Sequence, residues 1–145
     1  SRSKKSISSE DIIKLTNLAE NYDISELIDQ CLCKNKRKTL NILNENTSAT
    51  EDNILILKIF LFKLKRLKKL QETMKVETNI EKVLSSYKPT IFWKDKDPIK
   101  KQLQNWSLDQ IKLLIKETNE LEILVKKNSQ ISSYITNNFI LEKVI

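Results

Sequence analysis

Residues 54–70 read ILILKIFLFKLKRLKKL, and the rest of the chain has to pack around this segment. From Ile54 to Phe62 every residue except Lys58 is apolar, so a helix over these turns has no polar face and must be enclosed by neighbours. After Phe62, leucines continue one stripe at helical spacing while basic residues fill the other positions. The pattern predicts a central helix over residues 51–74 that starts buried and becomes amphipathic and basic.

The composition favours an all-α domain. The chain has 145 residues, is 39% hydrophobic, and contains no Gly and two Pro. This length suits one domain, and the apolar content is sufficient for a core without disulfides or a metal. Isoleucine accounts for most of the β-branched residues and follows helical rather than alternating patterns. We predict a compact bundle of about seven to eight helices around the central helix.

Because the chain has no glycine, helix ends that need a left-handed residue must use another residue type. Asparagine tolerates that conformation, and it stands where we expect helices to end, at Asn21, Asn35, Asn46 and Asn128. Helix starts are indicated by capping boxes and by an acidic residue before proline. The predicted boxes pair Asp23 with Glu26, Thr78 with Glu81 and Ser107 with Gln110, and Asp97 before Pro98 predicts a further N-cap.

Composition also excludes several classes of active site. Glycine-rich phosphate loops and nucleophile elbows need backbone that only glycine supplies, and a chain without histidine lacks the commonest general base and metal ligand. Cys31 and Cys33 have no second pair to complete a zinc site, and we expect Cys31 to be a small core residue. Asp95 and Asp97 could in principle hold Mg²⁺, but Asp97 is better explained as an N-cap. We expect no catalytic residue, no metal and no cofactor, and hence no enzyme.

The net charge of +7 is concentrated in the central helix. Residues 51–75 carry 7 Lys or Arg against 3 Asp or Glu, compared with 8 against 7 in residues 1–50 and 11 against 9 in residues 76–145. Two interpretations remain open for this face: a solvated helix surface, or a surface that binds nucleic-acid phosphates with Lys63 and Arg66 among its contacts.

The sequence predicts neither membrane insertion nor secretion. The uninterrupted apolar run is far shorter than the roughly 20 residues that a membrane span needs. Two free thiols and the lack of a signal sequence suit a reducing cytoplasm. We therefore expect a cytoplasmic protein with no membrane partner.

Residues 87–97, YKPTIFWKDKD, form the least regular stretch of the chain. Aromatic rings beside lysines can stack on the bases of single strands. The candidates for such a DNA contact are Lys88, Phe92, Trp93, Lys94 and Lys96. A packing interpretation explains the same residues with Ile91 and Phe92 in the core, Trp93 half covering it and the lysines in solvent. We favour the packing interpretation, because stacking needs exposed rings that face a strand.

Taken in order, residues 22–145 resemble the C-terminal part of the delta subunit of the bacterial DNA polymerase III clamp loader, and most of all its alphaproteobacterial branch. The matching segments are YDISEL and KTLNIL, the ILILKIFLFKLKRL helix, NELEILVKK and KPTIFWKDKDPIKKQLQNWS. The last, residues 88–107, is the most specific, since it combines an extended Pro-aromatic-basic linker, a short helix and a Trp-Ser cap. Asn35 departs from the family pattern, which commonly has Gly there.

The resemblance implies that residues 1–21 end the family's small middle domain or a linker, and that residues 22–145 form its helical collar domain. In the family this domain joins its counterparts on the ATPase subunits (gamma or tau) and on delta-prime in a ring. We expect the family's N-terminal domain, which holds the sliding clamp, to be absent here. This piece should therefore neither bind the clamp nor hydrolyse ATP. The parent holoenzyme is a DNA-directed DNA polymerase, whereas delta itself is non-catalytic.

Two hypotheses follow for the function. In the first, the chain is a non-catalytic oligomerisation domain that holds delta in the clamp loader during DNA replication, and it exposes an apolar patch for its neighbours. Primer–template DNA is then an indirect partner that the aromatic loop can touch. In the second, the chain is a stand-alone basic helical module that binds nucleic acid through the second half of the central helix and the Phe92-Trp93 loop.

Overall fold

A computed structural model describes residues 22–45 and 53–145, and every regular element in these two parts is helical. The all-α prediction is confirmed. The elements are α1 (described from 22 to 32), α2 (Lys36–Glu45), α3 (Asn53–Thr73), α4 (Ile80–Ser86), α5 (Lys96–Asn105), α6 (Leu108–Lys127) and α7 (Ser132–Lys143), with 3₁₀ turns at Trp93–Asp95 and Ser129–Ile131. The domain assignment of residues 1–21 and the predicted caps at Asn21 and Asn46 lie outside the described residues.

The central position predicted for residues 51–74 is confirmed by α3, which packs against α4, α5, α6 and α7 and most extensively against α6. Ile56, Phe60, Leu64 and Leu67 are completely buried, and each belongs to the main hydrophobic core. Full burial of such a side chain contributes about 1.5–3 kcal/mol to the free energy of unfolding. The packed length of α3 therefore organises a single compact core.

α1 and α2 are joined by a short turn at residues 33–35, and α1 contributes a completely buried face. The core residues of α1 are Ile24, Leu27, Ile28, Cys31 and Leu32. The predicted capping box at Asp23 is wrong, because Tyr22 is already helical and Asp23 therefore lies inside the helix. The expectation that Cys31 is a core residue is confirmed.

The predicted asparagine C-cap at Asn35 is wrong, whereas the one at Asn128 is confirmed in position but not in conformation. Lys34 takes the positive φ of 58° in the tight turn between α1 and α2. Because this turn is so short, Asn35 already starts the next helix, and its Oδ1 accepts a hydrogen bond from the Lys38 N–H at 3.1 Å. Asn128 is the C-cap of α6, where its N–H donates to the carbonyls of Leu124 and Val125, but its φ of −127° lies outside the left-handed region. Thus asparagine caps the start of α2 rather than the end of α1.

The remaining N-caps agree with the sequence only in part. The box of Ser107 and Gln110 is confirmed, with both reciprocal hydrogen bonds present. α4 begins later than predicted, because the Oδ1 of Asn79, not Thr78, accepts from the first free N–H groups. The N-cap predicted at Asp97 is wrong, since the 3₁₀ turn at Trp93–Asp95 runs directly into α5 and places Asp97 inside the first helical turn.

A buried polar network ties α1, α3 and α5 together around Lys63. Its ammonium lies 2.9 Å from the Asp29 carboxylate, and the Gln102 side-chain amide donates to the Asp29 carbonyl at 3.1 Å. The prediction that Lys63 belongs to the solvated basic face is wrong, because the residue is only 6% exposed. Helical spacing explains this: Lys63 follows Phe60 by three positions and precedes Leu67 by four, so it lies on the core stripe.

The C-terminal end of α5 is held by a second set of polar contacts. The Gln71 side-chain amide donates to the carbonyls of Leu103 and Trp106 at 2.8 and 2.7 Å. The indole N–H of Trp106 donates to the Leu32 carbonyl at 2.8 Å. Carbonyls that a helix end leaves unpaired are thus satisfied by α3, and the same turn is joined to α1.

We predict that Lys63→Met lowers the free energy of unfolding by about 3 kcal/mol, because the Asp29 carboxylate is then left buried without its counter-charge. Chemical denaturation of the purified chain measures this change. The matched control is Lys65→Met on the exposed side of the same helix, which should change the free energy by about 0.5 kcal/mol or less. Equal decreases in the free energy of unfolding of the two variants would contradict a stabilising role for the buried Lys63–Asp29 pair.

Candidate functional site

The loop before α5 presents two aromatic rings to solvent. Ile91 is buried as predicted, but Phe92 is 56% exposed and Trp93 is 69% exposed. The favoured packing of Phe92 in the core is therefore wrong, and Trp93 covers less than expected. Phe92 has extended backbone, in which successive side chains point to opposite sides, so the burial of Ile91 turns Phe92 outwards. The two rings lie in contact, with centroids 5.9 Å apart.

The Phe92 ring borders a cleft of about 420 Å³ between the loop and α1. Tyr22 of α1 and Phe92 line it, and Tyr22 is itself 69% exposed. Acidic side chains from both elements, Glu26 and Asp95, also face the cleft. We call this feature the aromatic cleft: Tyr22 and Phe92 line it, and the Trp93 ring lies beside it in contact with Phe92.

Of the candidate lysines of the loop, Lys94 lines this cleft. Lys88 and Lys94 are exposed, whereas Lys96 is partly buried at the start of α5. The Lys94 ammonium lies 5.4 Å from the centroid of the Trp93 ring, a cation–π distance. The structure thus brings Phe92, Trp93 and Lys94 together on one surface. Tyr22 was missed because its position next to the loop depends on how α1 packs.

A second surface is basic and lies on the exposed side of α3. Lys58, Lys65 and Lys69 share one exposed stripe, and Phe62 lies within it at 60% exposure. The exposure of Phe62 shows that the enclosure of α3 inferred from its apolar run is incomplete at this turn. The Arg66 guanidinium lies 5.9 Å from the centroid of the Phe62 ring.

This stripe continues into a groove of about 460 Å³ between α3 and α6. Lys112 of α6 joins Lys65, Lys68 and Lys69 there, and Glu72 pairs with Lys68 at 3.4 Å. We call the exposed stripe and this groove together the basic groove. Lys63 is not part of it, since that side chain faces Asp29 in the core, whereas Arg66 remains at its edge.

Neither thiol of the described residues is activated as a nucleophile. Cys31 and Cys33 are both buried and free. Burial raises the pKa of the Cys31 thiol to about 12, and burial also raises the pKa of Cys33. The Cys31 Sγ donates to the Ile140 carbonyl at 3.6 Å. A nucleophilic cysteine needs the opposite shift, so these thiols serve packing.

Within residues 22–45 and 53–145, no group of three or more His, Cys, Asp or Glu side chains is arranged to hold a metal ion. Over the same residues, no helix has the length and apolar content required to cross a membrane. Comparison of the chain with protein-family models, curated proteins and solved structures finds no match. The aromatic cleft and the basic groove are therefore the features from which a function can be inferred.

The thiols provide a test of the core. With the pKa of Cys31 raised to about 12, almost no thiolate exists at pH 8.5 in the folded chain, so we predict that alkylation by iodoacetamide is slow. Denaturant should restore the ordinary pKa and accelerate labelling of Cys31 by at least about 100-fold, and it should also accelerate labelling of Cys33. Mass spectrometry of timed samples measures both rates. Rapid native labelling of Cys31 would contradict its buried position.

Proposed function

We propose that the chain is a non-catalytic assembly module, the helical collar domain of a delta subunit that holds this subunit in a bacterial clamp loader. The observation that carries this proposal is the aromatic cleft. Phe92 in this cleft and Trp93 beside it belong to the same segment, residues 88–107, whose sequence most specifically resembles that family. The most family-like segment of the sequence thus also carries exposed aromatic rings.

The exposure of these rings supports a role in protein contacts. Aromatic side chains are enriched at protein interfaces, where they bury much area at low entropic cost. Two exposed rings in one cleft, with a third in contact with Phe92, form the kind of apolar patch that the assembly hypothesis requires. The rings do little for the chain's own core, whereas Ile91 next to them is only 5% exposed.

The same proposal accounts for the buried side of the segment. α5 is anchored to α1 and α3 through Gln102, Trp106 and Gln71, so the loop before it is held on a rigid base. A rigid base reduces the entropy lost when a partner binds. The proposed partners are the ATPase subunits gamma or tau and delta-prime, in the cytoplasm, with primer–template DNA as an indirect partner.

We predict that the chain co-purifies with the ATPase subunits and delta-prime of an alphaproteobacterial clamp loader mixed at micromolar concentration. Trp93→Ala should weaken this association by about 2 kcal/mol, roughly 30-fold, because a large ring at the contact is lost. The stability of the Trp93→Ala variant itself should change little, since Trp93 is exposed. Binding is measured by size-exclusion chromatography and by titration.

The matched control is Tyr134→Ala, which removes an equally exposed ring on α7, away from the cleft. We expect this variant to bind as the unaltered chain does. No association of the unaltered chain with any of the subunits would reject the proposal. Equal weakening by both variants would reject the aromatic cleft as the contact.

A second candidate function, binding of nucleic acid, is favoured by the basic groove. Phe62 lies among lysines of α3, and an exposed ring among cations is suited to stacking a base while the lysines contact phosphates. Lys112 supplies a further charge from α6. This surface does not use the aromatic cleft, so the two functions can be tested separately.

For this candidate we predict that a fluorescein-labelled single-stranded oligonucleotide binds the chain at low salt and that the affinity falls steeply as salt rises. Replacing Lys58, Lys65 and Lys69 by Gln should reduce the affinity. It should also make the slope of log affinity against log salt concentration shallower by about three, one for each charge removed. Fluorescence anisotropy measures both. Replacing the three exposed lysines Lys36, Lys82 and Lys101 by Gln changes the net charge equally and is the control. No binding at low salt would remove the nucleic-acid candidate.

A further inference from the structure

The aromatic cleft holds carboxylates that lack a counter-charge. Asp95 makes no ion pair with any other residue of the described parts, and the one side-chain bond that Glu26 makes there is from the Gln30 amide at 2.7 Å. Asp29 also borders the cleft, but Lys63 already neutralises it. In a chain of net charge +7, this cleft therefore carries local negative charge beside exposed rings.

Lys94 does not neutralise these carboxylates. It lines the cleft, yet its ammonium lies over the Trp93 ring and is not within salt-bridge distance of Glu26 or Asp95. This contact shows that the Trp93 ring is accessible to a cation in this arrangement. The carboxylates of Glu26 and Asp95 remain available to a second cation from outside.

We propose that the aromatic cleft binds the guanidinium group of an arginine on a basic segment of a partner subunit, an inference that rests on the proposed assembly function. A guanidinium is planar, stacks on aromatic faces and donates two parallel hydrogen bonds to a carboxylate. The ring of Tyr22 or Phe92 supplies the stacking surface. Glu26 or Asp95 supplies the acceptor.

Charge complementarity selects this occupant over the alternatives. Phosphates of a nucleic acid would be repelled by Glu26 and Asp95, and an acidic peptide would be repelled in the same way. A metal ion would need more oxygen ligands than two carboxylates on separate elements provide. A cationic peptide is repelled by the overall charge of +7, so any binding of it must come from a local feature such as this cleft.

The test uses two capped tetrapeptides, tetra-arginine and tetra-citrulline, titrated against the purified chain. Citrulline has nearly the shape of arginine without its charge, so it separates guanidinium recognition from apolar contact. The readout is the fluorescence of Trp93, which is exposed, whereas the other tryptophan, Trp106, is 8% exposed. We expect tetra-arginine to bind and to change this fluorescence, and tetra-citrulline to bind at least about tenfold more weakly.

Glu26→Gln and Asp95→Asn test the two acceptors. At least one of them should weaken tetra-arginine binding roughly tenfold, since a charge-assisted hydrogen bond is lost. Glu120→Gln removes an exposed carboxylate on α6 and changes the net charge equally, so it is the control and should leave binding unchanged. Equal binding of the two peptides, no binding of tetra-arginine, or equal weakening by the control would each overturn the proposal.

Competition separates this inference from the proposed function. If the chain associates with the clamp-loader subunits and tetra-arginine displaces them where tetra-citrulline does not, both proposals are supported. If the subunits associate but tetra-arginine neither binds nor competes, the assembly function stands and the arginine inference fails. If tetra-arginine binds as described and no subunit associates, the cleft still recognises a guanidinium. The assembly function then fails, and so does the assignment of a clamp-loader subunit as the partner of the cleft.

Discussion

The enclosure of α3 by the surrounding helices is the constraint on which the other features of this protein depend. Four residues of α3 with no solvent exposure, Ile56, Phe60, Leu64 and Leu67, define its buried stripe. Lys63 lies on the same stripe and therefore needs a buried partner, which α1 supplies as Asp29. This pairing, with the Gln102 contact, sets where α1 and α5 lie on α3 and so where the loop between α4 and α5 emerges.

That arrangement exposes the rings of the loop, because successive side chains of an extended segment point to opposite sides. Because Ile91 closes the core beside α1, Phe92 must face outwards, and the 3₁₀ turn that follows exposes Trp93 as well. The same packing places Tyr22 at the other wall of the cleft. An aromatic surface on a rigid base is typical of protein contact sites, in line with the proposed assembly function.

The two surfaces of the molecule differ in charge and are suited to different partners. The aromatic cleft carries Glu26 and Asp95 without counter-charges, whereas the basic groove collects lysines from α3 and α6. Opposite local charges on one small domain discriminate between partners, since each surface repels what the other attracts. The proposed binding of an arginine segment and the second candidate, nucleic acid, therefore do not compete for the same residues.

Periodicity and composition were sufficient to predict the all-α class, the central helix ending near residue 74, the buried face of α1 and the capping box of Ser107. These features depend on contacts within about one helical turn. The aromatic and basic residues of the loop were also identified from their spacing. The burial of Lys63, the exposure of Phe62 and Phe92, and the meeting of Tyr22 with the loop were set by tertiary packing instead. Each depends on which distant helix lies opposite the residue, and local patterns carry no such information.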